Sequence, residues 1–298
     1  MSQSSPAATA AAAAAAAGLA GGALPMGHPE PPAHPGPEPQ PQPAQGYGRV
    51  LGLLGLVVTA AGYEVVTRAF FSPRHVPPLG DIVPEAGGLL TDPEFWTATG
   101  RTLAVSAIGL VIAAVAGIAI GFGIGSVPWL LKVTSSTLDF LRPVPSIVLI
   151  PVLVLVLDVA EITVLLVAVS CFWIVLFQVL YGLRDVDPVA VETARSFRLG
   201  RAARTVHVVW PTVLPYLATA FRLMVSVALA LALTGGLVMG AAGLGELIWA
   251  SQEAGEVAAM YALVLLTGAI GIVLDTLARL AERRLLHWHV ATRRELVR

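Results

Sequence analysis

Thr102–Ile124 reads TLAVSAIGLVIAAVAGIAIGFGI, an apolar run without a charged residue. About 20 helical residues cross the hydrocarbon core of a bilayer, so this run is long enough to span one. Backbone groups in lipid must bond within their own segment, which makes such a run a helix. Working outward, five more apolar segments follow the same logic: Val50–Phe71, interrupted by Glu64 and Arg68; Ser146–Leu157, short unless its helix begins near Leu138; Ile162–Tyr181; Val213–Val238; and Met260–Leu280. The alternating strands of a membrane barrel are absent. The chain therefore reads as all-α, a polytopic membrane helix bundle of about six transmembrane helices. Gly117, Gly121 and Gly125 stand four apart in the second segment, a spacing that lets helices approach closely in lipid.

Composition agrees. Of 298 residues 56% are hydrophobic and only 12% charged, with a mean hydropathy of +0.79. A soluble domain carries about 25% charged residues, so the lipid bilayer is the surrounding that suits this chain. The net charge of −1 leaves no basic footprint for a nucleic-acid partner. One cysteine, Cys171, excludes an internal disulfide and a cysteine-based metal site. His287 and His289 are two apart and do not share a helix face, so no metal site is expected. No glycine-rich GK[ST] loop is present. ATP hydrolysis is not expected on this chain, which reads as no enzyme and binds no cofactor of its own.

Residues 1–46 differ from the rest. An alanine run, Ala7–Ala17, precedes HPEPPAHPGPEPQPQPAQG (residues 28–46), a proline-rich polar stretch expected to be disordered. No basic residue precedes the alanines, so a cleaved secretory signal is not expected. The membrane domain is 47–298. Arginines set its orientation. Asp81, Glu85, Asp92 and Glu94 make one connection acidic, whereas Arg184, Arg195, Arg198, Arg201 and Arg204 make another basic. Arg279, Arg283, Arg284, Arg293, Arg294 and Arg298 make the C-terminal end basic. Basic segments stay in the cytoplasm, so both termini are expected there and Asp81 outside.

The basic connection, 184–212, holds the most informative sequence: DVDPVAVETARSFRLGRAARTVHVVWPTVLP from Asp185 to Pro215. Asp187 followed by Pro188 is a helix start, an acceptor for free amides before a residue suited to the first turn. Gly200 is the expected stop, giving a helix over Pro188–Leu199. Ala190, Ala194 and Phe197 share one face; Glu192, Arg195 and Ser196 lie on the other. Such a short amphipathic helix either docks in a partner's groove or lies on the membrane surface.

This segment resembles the EAA loop of bacterial ABC-importer permeases. The family pattern is Glu-Ala-Ala, three residues, Gly, nine residues, Ile, any residue, Leu, Pro. Glu192, Thr193 and Ala194 take the first places, and Val208, Trp210 and Pro211 the last. Arg198 stands in the glycine place. FLRPVPSIVLIPVLVL (Phe140–Leu155), YGLRDVDP (Tyr181–Pro188) and GLGELIW (Gly243–Trp249) resemble the nitrate, sulfonate and taurine subfamily in order and spacing. Asp158 and Gly236 depart from that subfamily, which usually has glycine and often glutamate there.

The resemblance implies the type I ABC importer permease architecture and a multi-pass place in a bacterial cell membrane. It implies a second permease subunit, cytoplasmic ATP-binding subunits that carry ATP and Mg, and an extracytoplasmic solute-binding protein. The solute would be small, polar and anionic, such as nitrate or a sulfonate. Asp187, Pro188, Ala190, Glu192, Ala194, Phe197, Arg198, Gly200 and Pro211 would form the ATPase-coupling loop. Arg142, Pro145, Ser146, Arg222 and Gly236 are candidates for the solute pathway. Two other readings compete. An ion-coupled secondary transporter would use ionisable residues such as Glu64, Asp158, Glu161, Arg222 or Asp275. A degenerate, non-transporting membrane scaffold would explain Arg198.

Overall fold

The computed structural model describes residues 45–73 and 75–286; the tail before them and residues 287–298 after them lie outside that range. The described residues fall into two units, one ending at Leu56 and one beginning at Val57. The described residues are helical nearly throughout. α1 runs over Gln45–Phe70, α2 over Leu79–Thr91, α3 over Pro93–Gly125 and α4 over Pro128–Leu141. After a break come a 3-10 turn at Ser146–Leu149 and the short α5, Ile150–Leu153. α6 spans Val159–Arg184, α7 Pro188–Ser196 and α8 Arg201–Arg204; a π turn, Thr205–Val209, leads into α9, Trp210–Met239. α10, Leu244–Ala254, and α11, Val257–Leu285, are the last described helices.

Two ridges of small and branched residues form the core. On α3 the ridge is Gly109, Ala113, Gly117, Gly121 and Gly125; on α6 it is Val167, Cys171, Val175, Val179 and Leu183. Both advance four residues at a time, the row that neighbouring turns of a helix stack along one face. A methyl group on Gly109, Gly117 or Gly121 would fall 2.5–2.8 Å from a valine of α6. The glycines are therefore what allows the two backbones to approach, as their spacing predicts.

The pairings also give direction. Gly109 meets Val167, Gly117 meets Val175 and Gly121 meets Val179, so α3 and α6 run parallel. The chain between them must return from one end of the bundle to the other. Only Pro128–Leu153 is available to do so, and it is bent by 79°. Five described helices are long and apolar enough to cross a membrane on their own, and this bent pair makes the sixth crossing.

The third span thus differs from the expected Ser146–Leu157 helix. It starts at Pro128, breaks over Arg142–Pro145 and ends its helical geometry at Leu153. Pro143 and Pro145 supply no amide hydrogens, so the bond ladder lapses just past Arg142, whose own backbone is still helical at φ −53 and ψ −46.

α9 runs antiparallel to α6: Gly182 packs on Val213, Cys171 Sγ reaches Met224 O, and Gly235 packs on Thr163. α11 in turn is antiparallel to α9, with Gly271 against Leu229 and Arg222 near Glu282. Phe95, Ala98, Leu244, Ile248 and Leu263 close the end where α3 begins. There the buried Leu244 amide donates to Thr102 Oγ1 at 2.9 Å. The opposite end collects the end of α6, the α7–α8 connection and the end of α11. Both basic segments accordingly meet at one end of the bundle.

Candidate functional site

α7 is held at both of its ends. Asp187 accepts a hydrogen bond from the Val189 amide at 2.8 Å, and Pro188 occupies the first turn, as the sequence implies. The stop lies elsewhere than expected. The Leu199 amide donates to Ala194 O at 3.0 Å and the Arg198 amide to Arg195 O at 2.8 Å. This crossed pair closes a helix end through one left-handed residue, a place that glycine favours. That residue is Arg198, at φ 56. Gly200 instead has extended backbone, φ −62 and ψ 164, and caps α8. The helix therefore ends at Ser196 rather than Leu199, because its terminal carbonyls are satisfied before Gly200 is reached.

The face expected to be apolar divides in two. Ala194 is 5% exposed and Ala190 half-buried, packed towards the protein's own chain. Phe197, past the last turn, is 78% exposed, and Glu192 is exposed as well. Among the described residues nothing covers this ring, which stands at the end of a short helix tied between two spans. Pro211 sits in the first turn of α9, directly after the π turn. A π turn and a proline both interrupt the regular bond ladder, and the two adjoin here at the start of α9.

A cavity of about 680 Å³ opens between the break in the third span and the middle of α6 and α9. Arg142, Pro145 and Ser146 all line it, so three of the candidate pathway residues come together. The Arg142 guanidinium lies 4.7 Å from the centre of the Phe177 ring, and the hydroxyls of Ser146 and Ser170 are 2.6 Å apart. Trp173, Gln178 and Tyr181 complete the polar and aromatic part of the wall; Leu223, Val227 and Leu231 of α9 are its apolar side. One positive charge over an aromatic floor, with hydroxyl and amide groups nearby, can hold a small anion. The α6 wall was not read from the sequence. Its signal is a helical stripe, Ser170, Trp173, Phe177 and Tyr181, with Gln178 the polar residue beside it.

Arg222 and Gly236 stand away from this wall. Arg222 points to Glu282 of α11, at 3.8 Å. Gly236 packs on α10, where a methyl group would lie 2.6 Å from the Glu246 nitrogen and the Gly245 Cα. Glu64, Glu161 and Asp275, the other ionisable candidates, also have local partners. Glu64 takes the Leu79 amide at 2.6 Å and pairs with Arg68, fixing the start of α2. Glu161 accepts from the Asp158 amide at 3.2 Å at the start of α6, and Asp275 pairs with Arg279 at 2.7 Å. Each holds a helix end or a neighbouring turn, which leaves the secondary-transporter reading without a specific supporting residue. Among the described residues no cluster of metal-ligating side chains occurs.

Comparison with known proteins agrees with this architecture. Residues 101–287 match the family described as binding-protein-dependent transport system inner membrane component. The chain is 26% identical over 251 residues to the taurine transport system permease protein TauC of Escherichia coli (strain K12), covering 80% of this chain and 89% of that protein. It is 23% identical to the nitrate import permease protein NrtB of Leptolyngbya laminosa, over 66% of this chain and 74% of the relative. It is 27% identical to the putative aliphatic sulfonates transport permease protein SsuC of Escherichia coli (strain K12), over 70% and 83%. Among solved structures, an inward-facing form of the MetNI methionine ABC transporter is similar in fold, with a TM-score of 0.57 at 18% identity over 65% of this chain and 99% of that one. With the matched family covering more than half its length, the chain belongs to the binding-protein-dependent inner-membrane components and is an ABC importer permease.

Proposed function

We propose that this chain conducts a small anion, such as a sulfonate or nitrate, into a bacterial cell, driven by ATP hydrolysed on a separate subunit that docks on α7. The observation that carries the reading is the capped helix Pro188–Ser196 with Phe197 exposed at its end. It is tied by short connections to α6 and, through α8 and the π turn, to α9. A rigid element so anchored can convert closure of a partner into movement of two spans. The family description supports delivery by an external binding protein. The solutes for which the relatives are named, taurine, nitrate and aliphatic sulfonates, support the solute class, as does the arginine in the cavity wall. Exposed Phe140, Leu155 and Val156 beside the break support a second permease subunit packed there in the membrane. The collection of arginines at one end supports a cytoplasmic α7–α8 connection and cytoplasmic termini.

The test is co-expression with the ATP-binding subunit, capture through this chain, and ATP-driven uptake in proteoliposomes. Phe197→Ala is expected to release the subunit without unfolding the spans, because the ring is exposed in the isolated chain. Glu192→Ala is expected to retain hydrolysis but lose uptake. If both variants keep the subunit and transport at the wild-type rate, α7 is not the coupling element.

A further inference from the structure

The left-handed residue that closes α7 is an arginine, and nothing in the helix end requires one. The crossed bonds from Arg198 and Leu199 use only backbone atoms, and glycine would make them with less strain. The Arg198 side chain is exposed and engages no carboxylate among the described residues. Among the described residues of this chain nothing therefore offsets its backbone conformation. A side chain kept in an unfavourable conformation points to a role outside it.

Its surroundings say what kind of role. Residues 195–204 carry Arg195, Arg198, Arg201 and Arg204 and no acidic residue. Phe197 stands open directly beside Arg198. The arrangement is an apolar knob with a positive charge next to it in the chain, the complement of an apolar pocket with a carboxylate on its rim. Anionic lipid headgroups would also attract arginines. However, Asp185, Asp187 and Glu192 are exposed on the same connection, and an anionic surface would repel all three.

We propose that Arg198 determines which ATP-binding subunit this permease accepts: its guanidinium pairs with a carboxylate on the rim of the pocket that receives Phe197. The inference rests on the docking reading given above. A left-handed backbone sets only where the side chain leaves the chain, next to Phe197, and a carboxylate on the partner would hold the guanidinium in place. Subunits that lack the carboxylate would leave the guanidinium unpaired at the contact and would be rejected.

The experiment is capture of the co-expressed ATP-binding subunit in detergent, at low and high salt, with Arg198→Gly, Arg198→Lys, Arg198→Glu and Phe197→Ala. Monodisperse elution checks folding of each variant. The proposal expects salt-sensitive capture by the wild type, with affinity about threefold weaker for Gly and about thirtyfold weaker for Glu. It also expects partial recovery with Lys and loss of salt sensitivity with Gly. Because glycine suits the left-handed position better, a merely structural role predicts the opposite, with Arg198→Gly capturing as well as the wild type or better. That result overturns the proposal while the docking reading survives. So does equal capture by all Arg198 variants combined with an activity loss confined to anionic liposomes, which assigns the charge to lipid. Failure of the wild type to capture the subunit, or unchanged capture by Phe197→Ala, overturns the docking reading and this proposal with it.

Discussion

Gly117 of α3 lies so close to Val175 of α6 that a methyl group on the glycine would sit 2.7 Å from the valine Cβ. Gly123, on the same helix, has nothing within 4 Å of that position. Gly117→Ala must therefore separate two packed spans, at a cost of about 1–3 kcal/mol. Gly123→Ala is expected to be neutral or slightly stabilising. Apparent melting temperatures of the two variants in detergent check this; equal values would show that the α3–α6 contact is looser than described.

Thr102 is the acceptor for the Leu244 amide, and both residues are buried. Thr102→Val keeps the shape and removes the acceptor, leaving a buried amide unpaired. The expected loss is about 1–3 kcal/mol. Thr102→Ser retains the hydroxyl and is expected to lose less. Thermal unfolding of both variants is the measurement, with equal losses counting against a hydrogen-bond explanation.

Arg142 supplies the positive charge of the cavity wall. A charged hydrogen bond contributes about 1.5–3 kcal/mol, so Arg142→Ala is expected to weaken half-saturation for an anion by about tenfold to a hundredfold. Arg142→Lys keeps the charge but not the planar contact with Phe177, and an intermediate value is expected. Uptake of nitrate and of taurine into proteoliposomes gives both numbers. Wild-type uptake by Arg142→Ala would remove this cavity from the pathway.

Arg222 faces Glu282 and not the cavity. Both side chains are partly exposed, so their attraction is screened and Arg222→Ala is expected to cost only about 0.2–1 kcal/mol. Solute affinity is expected to stay at the wild-type value. Combining it with Glu282→Ala is expected to add little further destabilisation, because the partner is already lost. A large change in uptake affinity with Arg222→Ala alone would place this arginine on the solute route.

How far the sequence reaches is visible in particular residues. Five long spans were legible, four of them to within a few residues at both ends and α3 starting nine residues before its run, because lipid leaves an apolar run of about 20 residues little choice but a helix. The start of α7 was legible as well, since Asp187 and Pro188 act on amides one or two residues away. The stop was not. Gly200 is the glycine the pattern offers, but the terminal carbonyls of Ala194 and Arg195 are reached first by the amides of Leu199 and Arg198.

The sequence by itself determined that this chain is an all-helical membrane bundle with one basic, capped connection, because hydropathy and capping are local properties. Only the tertiary structure decided which residues meet. Arg142, Ser146, Ser170 and Phe177 share one cavity wall because two prolines break the third span against α6. Arg222, an equally plausible charge on sequence grounds, is turned instead towards Glu282. Hydropathy says that a residue enters the membrane, but its direction there depends on the packing of helices far apart in the chain, here set by glycines that let α3 and α6 come together.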